Sequence, residues 1–201
     1  MPWMHVIVGS RCSWLHGDRR GFRSREHRIH STGNYKNRPP DSEHLGLRTY
    51  HQRRSGRPVH FRTDTRIVLL REFVCKMGDL GFPIIACSIG DQHLHALADL
   101  PGNYQAMKKV VGKCKQKASH SARSVLPGII WSSGGEFNRL KDRNHLRNAY
   151  EYIRTKQERG TVVWSHRPDE NWIDDPTIGI VVITLARKQL RIFQQPPDAG
   201  V

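Results

Sequence analysis

Residues 82–100 read FPIIACSIGDQHLHALADL. Two apolar runs flank Gly90-Asp91, a pair that favours a tight turn. The spacing predicts a strand over Phe82–Ile89, a turn, and a second strand from His93 to about Leu100, ended by Pro101-Gly102. Side chains alternate across a strand, so His93 and His95 project together while Leu94 and Ala96 project the other way. Two imidazoles on one strand face can grip a metal ion. Taken alone, the pair is better explained as two surface histidines on a half-exposed strand. Only the rest of the chain turns it into a candidate site.

Upstream, DTRIVLLREFVCKMGDL (64–80) carries apolar residues at Val68, Leu69, Phe73, Met77 and Leu80. That is helical periodicity behind an Asp64 or Thr65 cap, stopped by Gly78 or Gly81. Residues 3–9 read as a first strand, and 19 to about 62 as a long Arg-, His- and Pro-rich loop or insertion. His27 and His30 within it have no partner position and read as surface histidines. Downstream come a helix over 103–125, strand-like pieces at Ile129–Trp131 and Glu136–Leu140, a helix over 143–159 and a strand at Thr161–Trp164. Strand pairs covered on one side by helices suggest an α+β sandwich with an antiparallel sheet. One domain is expected over 1–165, followed by an extension over 166–201 whose run IGIVVITLA (178–186) suits an extra strand.

Lys+Arg number 33 against 18 Asp+Glu, a formal charge of +15 on 201 residues. That balance predicts a positive field and a polyanionic partner, most often nucleic acid, so the substrate expected of a metal here is a phosphodiester. The helix over 103–125 holds Lys108, Lys109, Lys113, Lys115, Lys117 and Arg123 and no acidic residue, and is read as a surface that tracks backbone phosphates. Arg19 and Arg20, at the start of the basic loop, are further DNA-binding candidates. No run of eighteen apolar residues occurs, so no membrane span is expected. MPWMHVIVGSRC lacks a basic leader and a long apolar core, and reads as a strand rather than a signal peptide. Cys12, Cys75, Cys87 and Cys114 form no CxxC pair, which argues for reduced thiols in a cytoplasmic protein and against a zinc knuckle.

In RNHLRNAYEYIRTKQERG (143–160), Leu146, Ala149, Tyr150 and Ile153 follow helical spacing and form the buried stripe. Tyr150 is therefore core. Tyr152, about 200° further around the axis, belongs to the polar face with His145, Asn148 and Lys156. An exposed aromatic is the plain reading of Tyr152; with the histidine pair and the basic helix it becomes a candidate nucleophile. A tyrosine hydroxyl can attack a DNA phosphorus to give a 5′-phosphotyrosine and a free 3′-hydroxyl, with a divalent ion stabilising the developing charge. Mg²⁺ or Mn²⁺ suits that chemistry, and imidazole ligation accommodates Mn²⁺.

The segment DQHLHALADL (91–100) resembles the His-hydrophobic-His motif of the HUH endonucleases. AYEYIRTKQERGTVVW (149–164) is similar to the tyrosine helix of single-tyrosine transposases, and CSWLHGDRRGF (12–22) looks like the TWLPGDxRGW stretch of REP-associated tyrosine transposases. The resemblance covers about residues 3–164. It implies a ferredoxin-like antiparallel sheet with helices packed on it, His93 and His95 as metal ligands, Tyr152 as nucleophile, and action on single-stranded or hairpin DNA. It also implies a homodimer as one assembly, and a nucleoid-associated place in the cytoplasm. One position departs: the family usually has Asn or Gln four residues after the tyrosine, and Lys156 stands there. A protonated lysine has no lone pair for a metal. Gln157, rotated by about 100°, could replace it. His145, two turns upstream of Tyr152, is a second substitute, and Lys156 serving the phosphate directly is a third reading. Loss of activity is the fourth. Gln92, where the family commonly has Asn, is a milder change.

Two rival functions remain at this level: a catalytically degenerate protein that binds hairpin DNA, and a rolling-circle-type initiator. A histidine-triad hydrolase needs a third alternate histidine, and that position is Leu97.

Overall fold

The computed structural model describes residues 2–18, 42, 44–166 and the backbone of 181–182. Strand β1 (Trp3–Gly9) is followed by helices α1 (Leu45–Ser55) and α2 (Thr63–Asp79), then by strands β2 (Ile84–Ile89) and β3 (His93–Asp99). Helix α3 (Tyr104–Ser121), strand β4 (Glu136–Arg139), helix α4 (Arg143–Thr155), strand β5 (Val162–Ser165) and strand β6 (Val181–Val182) complete the order. The sheet runs β4-β1-β3-β2-β5-β6. All pairs are antiparallel except β5 with β6.

The first four strands in order β4-β1-β3-β2, with α2 and α3 as crossovers, make the split βαββαβ arrangement of a ferredoxin-like sheet. Met4, Val6 and Val8 of β1 and Leu94, Ala96 and Ala98 of β3 point to one face. There they meet Leu69, Phe73 and Met77 of α2 and Met107, Val111 and Cys114 of α3 in the main core. The opposite face carries a smaller core, in which Ala86 and Leu97 of the sheet meet Leu140 and Ala149 and Ile153 of α4. Helices therefore cover both faces, where the sequence suggested one. The handedness of crossovers explains it. β1→β2 and β3→β4 run in opposite directions across the sheet on oppositely directed strands, so right-handed turns put α2 and α3 on the same side. β4→β5 crosses toward β2 on a strand antiparallel to β1, and the same hand puts α4 on the other side.

Local chemistry sets the helix ends. The Asn103 side chain accepts from the Gln105 and Ala106 amides, and Asp142 accepts from the His145 amide at 2.8 Å. Helix α2 has Arg62 at its N-cap, not Asp64 or Thr65; Asp64 sits in the first turn, where its charge suits the helix dipole. Gly81, at φ +78, closes α2 in the left-handed region. Helices α3 and α4 end earlier than their charge and polarity patterns suggested, at Ser121 and Thr155.

Residues 45–55, read from sequence as loop, form α1. Its apolar residues Leu45, Leu47 and Tyr50 stay exposed and mark no single buried face, so no periodic signal announced it. The remainder of 19–41, with His27 and His30, and most of 167–201 lie outside the described residues. Gly17 sits at φ +86, and a Cβ there would meet the Arg48 backbone nitrogen at 2.6 Å. The Trp14–Asp18 turn is thus docked on α1 through a position that suits glycine alone. Gly17→Ala is expected to cost about 1–3 kcal/mol of stability, read as a lower urea midpoint with earlier proteolysis within α1.

Among the described residues all four cysteines are free thiols. Burial holds the Cys87 thiol well above its ordinary range and pushes Cys114 up to about 12, so neither is a thiolate at neutral pH. No helix among the described residues is long and apolar enough to cross a membrane.

Candidate active site

His93 and His95 project from β3 toward the α4 side of the sheet, on the face that carries Leu97. Their rings lie 4.9 Å apart. Strand pairing brings in a third histidine. β1 runs antiparallel to β3 with Ile7 opposite His95 and His5 opposite Leu97, so His5 shares their face. Its Nε2 lies 3.0 Å from Nδ1 of His95. His95 is 5% exposed, and its Nε2 is buried with no hydrogen-bond partner. On β4, Glu136 stands opposite Ile7 on this same face, and its carboxylate accepts from Asn138 Nδ2 at 3.1 Å.

Burial keeps the His95 ring neutral and favours the neutral form of His5. His95 is held down at about 3, first by burial and then by the charges that His93 and His5 would carry. Burial also lowers His5, partly opposed by Glu136 and assisted by His145. A neutral imidazole is the form that binds a metal. The same shift sets a pH dependence. The unfolded chain takes up a proton on His95 near 6.5, and the folded chain only near 3. The unfolded state therefore binds more protons within that window, and stability falls as pH drops through it while being whole above it. His95→Gln is expected to flatten the acid limb, seen as a smaller loss of Tm between pH 7 and pH 4.5 than in the wild type.

Helix α4 delivers two tyrosines to different places. Tyr150 packs beside the smaller core, its hydroxyl 2.7 Å from Ser165 Oγ and the Arg154 guanidinium 4.8 Å over its ring. Tyr152 is 40% exposed. Its ring stands edge-on to His95 at 5.5 Å and to His5 at 6.1 Å. One tyrosine is thus tied to β5, and the other lies over the histidines with a solvent-reachable ring.

The three candidates for the position after the tyrosine separate clearly. Lys156 is the exposed C-cap residue of α4, its amide donating to the Tyr152 carbonyl at 3.2 Å. Gln157 donates its Nε2 to that same carbonyl at 2.7 Å, so its amide serves the helix end. His145, in the first turn of α4, acts on His5 through its charge, and its Nδ1 accepts from the Lys141 amide at 3.4 Å. Among the described residues no three His, Cys, Asp or Glu side chains gather closely enough to form a complete metal shell on their own.

The lysine helix lies elsewhere. α3 packs with α2 on the face opposite the histidines. Lys115 turns inward and donates to the Ser132 and Gly134 carbonyls at 2.6 and 3.0 Å, and burial brings it down to about 8. Lys117 pairs with Glu72 at 3.4 Å. Lys108, Lys109 and Lys113 are exposed on that helix, as is Lys117 beside Glu72. Arg19 and Arg20 lie outside the described residues. Gln92 donates toward Nε2 of His60 at 3.2 Å, in the turn that Glu158 closes by accepting from the Asp91 amide at 2.7 Å. Arg66 reaches that turn through the Asp91 carboxylate at 3.5 Å and also donates to the Phe61 and Gly160 carbonyls at 2.7 and 2.6 Å.

Sequence reasoning missed His5 and Glu136. The signal for His5 was present, a lone imidazole on the less buried face of WMHVIVG, but its value depends on which strand lies beside β1.

No protein-family model matches the chain, and no curated protein is similar to it. Among solved structures, it shows a likeness to a REP-associated tyrosine transposase bound to a REP hairpin. The two are 15% identical with a TM-score of 0.41, over 77% of this chain and 66% of the other. This chain thus spans just under two thirds of that protein's length.

Proposed function

We propose that this protein is a single-tyrosine nuclease and strand transferase acting on single-stranded or hairpin DNA. The observation that carries the reading is the Tyr152 ring set 5.5 Å from His95, whose buried Nε2 has no partner. In the proposed step the Tyr152 oxygen attacks phosphorus, a Tyr O–P bond forms and the P–O3′ bond breaks. The phenol proton is lost and one proton is taken up by the leaving 3′ oxygen. The phosphodiester energy stays in the 5′-phosphotyrosine link, so rejoining needs no nucleotide cofactor. Lys156, exposed at the end of α4, offers a cation to the phosphate.

The residues present suit a divalent cation, Mg²⁺ or Mn²⁺. His93 and His95 are imidazoles on one face, His95 is held neutral, and its buried Nε2, with no hydrogen-bond partner, suits a lone pair given to a metal. When bound, such an ion polarises a phosphoryl oxygen and stabilises the charge that develops on it. Because no set of three His, Cys, Asp or Glu among the described residues forms a metal shell, and His5 is committed to Nδ1 of His95, phosphate and water oxygens would fill the other positions. His145, Lys156 and Gln157 remain the chain's own candidates to assist there. A second copy of the chain, and a nucleoid-associated place in the cytoplasm, belong to the same reading.

The test is denaturing electrophoresis of the protein with labelled hairpin oligonucleotides in Mn²⁺. A protein–DNA band that survives denaturation supports the proposal. Tight binding with no such band, across hairpins from the gene's own flanks, would move the reading to a hairpin-binding protein without catalysis.

The basic surface carries a separate expectation. Lys108, Lys109 and Lys113 are exposed on the sheet's other side, so a strand reaching both them and Tyr152 must pass round a sheet edge. Changing all three to alanine is expected to reduce the slope of log K against log salt by about 2, at ~0.7 per lost phosphate contact. Lys115→Ala should lower stability instead, because its ammonium serves two carbonyls. An unchanged slope in the triple variant would remove α3 from the DNA path.

A further inference from the structure

We propose that His5 is the positioning residue that holds His95 as the Nδ1–H tautomer, so that Nε2 of His95 presents a lone pair to a cation. This rests on the reading of His95 as a metal ligand given above, and it names a residue outside that pair.

A neutral imidazole has one donor nitrogen and one acceptor. His5 Nε2 and His95 Nδ1 are 3.0 Å apart, so a single proton lies between them. If His5 donates it, His95 must carry its own proton on Nε2. That N–H would be buried in a residue 5% exposed, with no acceptor. Orphaned buried N–H groups are rare because nothing replaces the water they lose. If His95 donates, its Nε2 is bare. His5 then carries its proton on Nδ1, the nitrogen not committed to His95.

Glu136 favours the second arrangement. It stands on the same sheet face as His5, opposite Ile7, and its negative charge acts on the His5 ring. A carboxylate there stabilises a proton on the uncommitted nitrogen of His5 and leaves Nε2 as the acceptor. The order Glu136, His5, His95 is the logic by which an outer carboxylate and hydrogen bond orient a ligating histidine. Register maintains it, since β1 lies between β4 and β3.

The test uses the full-length, metal-free protein labelled with ¹⁵N. Long-range ¹H–¹⁵N correlation spectra report the tautomer of each histidine directly. His95 is expected as Nδ1–H with Nε2 unprotonated in the wild type. His5→Phe should lose that preference, and His5→Gln, which keeps an acceptor oxygen, should restore it. An Nε2–H tautomer in the wild type, or an unchanged tautomer in a folded His5→Phe protein, overturns the proposal. Calorimetric titration with Mn²⁺ supplies the second readout. His5→Phe is expected to bind about tenfold to a hundredfold more weakly, with His5→Gln recovering most of the loss. Equal Mn²⁺ affinity in all three would also overturn it. A wild type that binds no Mn²⁺ yet shows the Nδ1–H tautomer would instead strike the metal-based reading of the site.

Discussion

Tyr152→Phe is expected to abolish the covalent protein–DNA band, a loss of at least about a thousandfold in adduct formation, while hairpin affinity stays near that of the wild type. The substitution deletes one oxygen and keeps the ring that stands edge-on to His95 and His5. The neighbouring tyrosine cannot take over. Tyr150 is on the same helix, but its hydroxyl is held 2.7 Å from Ser165 Oγ, on the side of α4 that packs on the sheet. Tyr150→Phe should therefore keep the adduct and lose about 1 kcal/mol of stability with the hydrogen bond. Gel assays and melts of both variants check the pair. If Tyr150→Phe alone removes the band, the assignment of the nucleophile falls.

Ile153→Ala carries the largest expected effect on stability. Ile153 is fully buried and anchors α4 among Ala86, Leu97, Leu140 and Ala149. This core is small, so the helix has few other apolar contacts to hold it. Large-to-small changes at such sites cost roughly 2–5 kcal/mol, or a fall in Tm of roughly 5–15 °C for a domain of this size. Because Ile153 is next to Tyr152, loosening it also frees the tyrosine from the histidines. Adduct formation should drop even at temperatures where the variant remains folded, with hairpin binding less affected. A change of the same size in the main core, such as Leu69→Ala in α2, should lower Tm without that selective loss. Thermal melts paired with adduct yield at 20 °C distinguish the two.

Much of this site was legible from local periodicity. The alternation through QHLHAL puts His93 and His95 on one side, and the hairpin around Gly90-Asp91 forms as the turn residues demand. The helical repeat in LRNAYEYI separates Tyr150, tied to Ser165, from Tyr152, left partly open to solvent. α1 was not legible because its residues bury no common face, and the inward turn of Lys115 was hidden because one lysine in a basic run looks like any other.

Sequence alone thus determined which side chains share a face within each strand or helix, because periods of two and 3.6 residues act over a few neighbours. The tertiary structure decided which faces meet. Right-handed crossovers put α4 and Tyr152 on the histidine side of the sheet and the α3 lysines on the other. The pairing of β1 with β3, across 90 positions of chain, brought His5 to His95. A one-residue slip in that pairing would turn His5 away, and the burial of Met4, Val6 and Val8 on the opposite face is what prevents the slip.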